Sequence, residues 1–124
     1  MFKRTASLSL KALSAAMLLT IGGQAMAAQT YFVANVNSVL MSGDERWGGC
    51  MAALSVDPQN HLPSCATTWV SFSCTGDFAD PVQAYRMVDQ AQLAVATNKR
   101  VLVMIQDDKK HNGYCYANRI DILR

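Results

Sequence analysis

Four cysteines, Cys50, Cys65, Cys74 and Cys115, all lying downstream of an apolar leader, set the strongest limit on how this chain folds. The leader begins with Lys3, Arg4 and Lys11, continues through the apolar run 12–21, and ends in Ala25-Met26-Ala27. A positive start, a short apolar middle and a small-x-small ending are the marks of a cleavable export signal. The apolar run is about ten residues long, half of the roughly 20 that span a bilayer. Residues 1–27 therefore read as a signal peptide and 28–124 as one exported domain, periplasmic or secreted, with no membrane insertion after cleavage. An even number of cysteines in an exported chain points to two disulfides. A zinc site fits poorly, because there is no C-x-x-C pair and neither His61 nor His111 stands at a ligand-like interval from a cysteine.

Removing the leader changes the charge balance. Of the eleven Lys and Arg, three lie before residue 28, which leaves eight against nine Asp and Glu and a formal charge of −1 in place of +2. No basic stripe remains for nucleic acid to follow. A domain this small buries a modest core, so the covalent bridges carry part of its stability.

The pattern along the domain predicts five strands and one helix. Residues 31–41 (YFVANVNSVLM) read as a strand with Phe32, Val36 and Leu40 on one face. Residues 47–56 read as a second strand, with Gly48-Gly49 marking a bulge or a close backbone approach. Residues 57–64 form a loop with two prolines, and 67–74 a third strand. Asp80-Pro81 opens a helix: Asp80 suits the N-cap, Pro81 the first helical position, and Gln83 the capping-box site. Ala84, Met87, Val88, Ala91, Ala94 and Val95 share its apolar face, and Asn98 suits a left-handed stop after Thr97. Residues 100–106 form a strand apolar on both sides, with Val101, Val103 and Ile105 opposed to Leu102 and Met104. Residues 107–113 read as a charged loop containing an Asn112-Gly113 reversal, and 114–123 as the last strand.

The order β-β-β-α-β-β is that of a five-stranded OB-like barrel, a mainly β fold in which the helix bridges the third and fourth strands. In that topology an antiparallel second and third strand bring Cys50 opposite Cys74. A parallel third and fifth strand bring Cys65 beside Cys115. Bridges need Cα atoms within about 7 Å, so Cys50–Cys74 and Cys65–Cys115 are the expected pairs. The sequence leaves the other two pairings open, as it does an α+β sandwich with the helix on one face of an open sheet.

Between Trp69 and Gln106 the chain resembles the B subunits of AB5 toxins, in particular the pertussis-like and subtilase-cytotoxin-like group. The resemblance lies in Trp69 with Ser71-Phe72 ahead of the helix, Asp89-Gln90-Ala91 within it, and Ala96-Thr97-Asn98-Lys99-Arg100-Val101 at its exit. It implies an exported, disulfide-linked OB barrel that assembles into a homo-oligomeric ring and binds a cell-surface glycan. No glycan-binding residue of that family maps onto a position in this chain, and the chain ends sooner than those subunits do.

Candidate residues follow from chemistry. Trp47 and Tyr114 border turns and offer flat apolar faces to a sugar ring, whereas Trp69 and Tyr116 read as packing residues. Asp108, Lys110, His111 and Asn112 supply hydrogen-bonding groups between the last two strands, where OB barrels commonly bind ligands. Tyr85 and Leu93 lie off the apolar face of the helix, and with Leu102 and Met104 they suggest surface covered by another subunit. No nucleophile motif, zinc-protease motif or phosphate-cradling glycine loop is present. The expectation is a non-enzymatic binding module without cofactor or metal. The alternative is a small inhibitor or accessory subunit working through a protein partner.

Overall fold

The computed structural model describes residues 26–124, so the leader up to residue 25 lies outside the described residues. Five strands and one helix follow in the expected order: β1 (Gln29–Met41), β2 (Cys50–Leu54), β3 (Trp69–Ser71), α1 (Pro81–Thr97), β4 (Arg100–His111) and β5 (Tyr114–Ile122). The strands close into a ring, β1-β2-β3-β5-β4, with β4 returning to β1. This is the OB-like order, and the closed ring sets aside the open-sheet alternative.

β1 is long enough to serve two neighbours. Its first half pairs with β4 from Gln29↔Gln106 to Asn35↔Arg100, and its second half pairs with β2 from Val36↔Leu54 to Met41↔Cys50. A bulge between Val36 and Ser38 interrupts the second ladder just after its first pair. Such an insertion reverses which alternate residues face inward. Phe32, Ala34 and Val36 point into the core, whereas beyond the bulge Val39 takes the inner side. Leu40, expected to share a face with Phe32 and Val36, is on the outside for that reason.

β3 is only three residues long, and its ladder with β5 is the single parallel pair Ser71↔Tyr116. The disulfides fix the two flanks of β3, one to each neighbouring strand. Cys50–Cys74 joins the start of β2 to the segment after β3, with Cα atoms 5.6 Å apart. Cys65–Cys115 joins the segment before β3 to the start of β5 across 5.3 Å. Both expected pairs are therefore present, and all four cysteines are used.

The helix begins and ends where local chemistry dictates. The Asp80 carboxylate accepts the amide hydrogens of Val82 and Gln83, and Asn98 adopts a left-handed φ of 52° at the C-terminus. Ala84, Val88, Ala91 and Ala94 are buried against the ring, and three alanines among these four allow a close approach. Val95, expected on this face, is 42 % exposed. Ala94 takes the inward position, and the next residue is turned about 100° away around the helix.

The β4–β5 connection is tighter than the pattern suggested. β4 runs on to His111, and the reversal is Asn112-Gly113 alone, with φ of 51° and 86°. Two consecutive positive φ values are what a two-residue hairpin turn of this hand requires. Asp107, Asp108 and Lys109 are not loop residues. They form a bulge in β4 between the pairs Gln106↔Tyr116 and Lys110↔Cys115.

Candidate functional site

The outer side of the ring carries a groove of about 180 Å³ lined by Leu40, Trp47, Met51, Trp69 and Tyr114. Each residue comes from a different segment: the end of β1, the turn before β2, then β2, β3 and the start of β5. Leu40 is available only because of the bulge in β1. Met51 is almost wholly covered and forms the floor, while the three aromatic side chains remain partly exposed.

Trp47 does not lie in a strand as expected. It ends a single 3-10 turn, Glu45–Trp47, capped by the Asp44 carboxylate, which accepts the Arg46 amide hydrogen at 3.0 Å. Gly48 and Gly49 follow with φ of 73° and 77°, so extended backbone cannot reach back to Trp47. Gly48 also fulfils the expectation of close approach: a Cβ there would fall 2.5 Å from both His111 Cδ2 and Ser71 Oγ. Ser71 Oγ donates to the Trp47 carbonyl at 3.0 Å and fixes the turn against β3. Arg46 pairs with Asp44, and its guanidinium carbon lies 5.3 Å from the Trp47 ring centre.

The other sequence candidates do not gather in this groove. Asp108 accepts a hydrogen bond from Gln106 Nε2, Lys110 Nζ donates to the Ser64 carbonyl, and Asn112 occupies the exposed turn. His111 is buried beneath Gly48. Its Nε2 lies 3.0 Å from Ser73 Oγ, and its ring packs on Phe78 with centroids 4.5 Å apart. Burial lowers the His111 pKa below the ordinary histidine value, and the nearby Asp77 carboxylate offsets part of that shift.

A serine, a histidine and an aspartate thus meet, but not in hydrolase geometry. Asp77 Oδ2 approaches the same Nε2 atom, at 3.8 Å, whereas a catalytic acid holds the opposite ring nitrogen. Ser73 has no exposed surface and its Oγ accepts the Phe78 amide hydrogen at 3.0 Å. The cluster ties the segment after β3 to the end of β4. Among the described residues no group of three or more His, Cys, Asp and Glu side chains is arranged to hold a metal, and no helix is long and apolar enough to cross a membrane.

The four interface candidates do not form one surface. Tyr85 borders a shallow depression of about 440 Å³ with Met41, Glu45 and Thr75. Leu93 is half exposed on the helix. Leu102 and Met104 lie on the outer face of β4, where they pair with Val33 and Tyr31 of β1. Tyr31 is 65 % exposed, so this apolar four-residue patch was only half visible in the sequence. Trp69 was likewise missed as a groove residue. Its signal was its place at the start of β3, directly after the exposed Thr67 and Thr68.

No family model, curated protein or solved structure matches this chain.

Proposed function

We propose that this protein is an exported binding module that recognises carbohydrate through the groove between Trp47, Trp69 and Tyr114. The observation that carries the reading is the convergence of three partly exposed aromatic side chains from three separate segments around one apolar floor. Such faces cover the C–H side of a pyranose, and the buried bodies of the rings keep their orientation fixed before binding. The Asp44–Arg46 pair is internally neutralised at the groove's end, which favours a neutral sugar over a charged one. Two disulfides fit an oxidising compartment, in keeping with the leader. Non-catalytic action agrees with the histidine geometry above, and the ring order agrees with the toxin B-subunit resemblance.

A second reading, association with another copy or with a protein partner, is favoured by the outer patch Tyr31, Val33, Leu102 and Met104. The two readings are compatible, since the patch and the groove share no residue.

Trp47 and Trp69 are the only tryptophans in the chain, and both line the groove. Intrinsic fluorescence therefore reports on the groove directly. A glycan array followed by fluorescence titration of the best sugar tests the reading. A saturable spectral shift that disappears in Tyr114→Ala supports it; a folded protein that binds no glycan on the array overturns it.

A further inference from the structure

The start of β1 and the bulge in β4 meet at one point. The Ala28 amide nitrogen donates to Asp107 Oδ1 at 2.9 Å, and the Asp107 amide donates to the Ala28 carbonyl at 3.1 Å. Gln29↔Gln106 is the first pair of the strand ladder. Ordered pairing thus begins at the residue that follows the Ala25-Met26-Ala27 cleavage pattern. Met26 is 91 % exposed, and the residues on both sides of the 27–28 bond are exposed as well, so the bond is open to a peptidase.

We propose that hydrolysis of the Ala27–Ala28 peptide bond converts the hydrogen bond between Ala28 and Asp107 into an ion pair that clasps the mature N-terminus to β4. Water adds across the C–N bond, Ala27 leaves with a carboxylate, and Ala28 keeps an amine that takes up a proton below about pH 8. The donor at Asp107 Oδ1 changes from a neutral amide to an ammonium, and a charge-assisted bond of this kind is roughly twice as strong. The partner is prepared for it. Asp107 lies in the bulge, where β5 offers no opposing residue, and Ser64 Oγ donates to its second oxygen at 3.3 Å. The other charged groups nearby are engaged elsewhere: Lys110 holds the Ser64 carbonyl and Asp108 accepts from Gln106.

The test has two arms. The protein recovered after export from a bacterial host should have the intact mass of residues 28–124 with two disulfides. A chain that keeps residues 1–27, or one cut at another bond, overturns the proposal. In the second arm, Asp107→Asn is introduced into protein beginning at Ala28 and into protein beginning at Met26. The folding equilibrium constant at pH 6.5 should fall about fivefold in the first, the upper end for an exposed ion pair, and less than about twofold in the second, where the ammonium has been moved two residues away. In the Ala28 protein the α-amine should titrate above the ordinary range of about 7.7–8.0, and Asp107→Asn should return it there. Because that pKa is raised in the fold, the stabilisation is present below about pH 8 and is lost as pH rises through the folded value. Equal losses in both proteins together with an unshifted amine overturn the ion pair.

Discussion

Ser71 Oγ donates a hydrogen bond to the carbonyl of Trp47, which ties the turn bearing one groove tryptophan to the strand bearing the other. Ser71 is fully buried and does not line the groove. Replacing it with alanine leaves the Trp47 carbonyl without this donor, at a cost of about 1–3 kcal/mol. Ser71→Ala should therefore lower the unfolding midpoint and weaken sugar binding together, as measured by urea titration and by fluorescence.

Tyr114 allows the groove to be changed with less effect on the fold, because its side chain is partly exposed at the beginning of β5. Tyr114→Ala is expected to reduce sugar affinity at least tenfold, with stability lowered by about 1 kcal/mol, the centre of the range for single substitutions. Isothermal titration alongside thermal unfolding separates the two effects. A large fall in the melting temperature would make Tyr114 a packing residue.

Gly48 admits no side chain. Gly48→Ala adds a Cβ 2.5 Å from the His111 ring and Ser71 Oγ at a φ of 73°. A non-glycine residue held at positive φ already costs about 1 kcal/mol or more, and displacement of the histidine adds to it. The variant should be among the least stable single substitutions in the chain, as judged by its thermal midpoint.

His111 makes stability depend on pH in a defined direction. Its pKa is lowered in the fold, first by burial, so the unfolded chain binds the proton more readily. Stability is then at its full value above the unfolded histidine pKa of about 6.5 and falls as pH drops below it. The groups facing the ring are Asp77, Ser73 and Phe78. Urea midpoints should decline from pH 7 to pH 5 in the native protein and decline less steeply in His111→Gln.

The disulfides close loops of different size, with sequence separations of 24 and 50 residues. Chain-entropy reasoning assigns about 3.5 kcal/mol to the shorter and about 4 kcal/mol to the longer. Cys65→Ser with Cys115→Ser should thus cost at least as much as Cys50→Ser with Cys74→Ser in equilibrium unfolding.

The parts of this fold that were legible in the sequence are those governed by nearby residues or by order alone. Asp80, Pro81 and Asn98 announce the helix through capping chemistry that acts within one turn. Asn112-Gly113 announces its reversal through positive φ. The disulfide pairs followed from strand order, since only a particular adjacency brings those cysteines within reach. What escaped depends on register. The bulges in β1 and β4 arise from how distant strands align, so no local pattern moved Leu40 to the outer face or placed Asp107 within a strand. The groove was half legible for the same reason: Trp47 and Tyr114 were recognisable beside turns, but the place of Trp69 opposite them is a property of the assembled ring.

β3 is the narrowest link in the ring, three residues with one rung to β5 and a sulfur tie beyond each end. Only the Cys65–Cys115 tie crosses to β5, so oxidation of that one pair should add about 4 kcal/mol to a closure that backbone pairing and the packed interior already define.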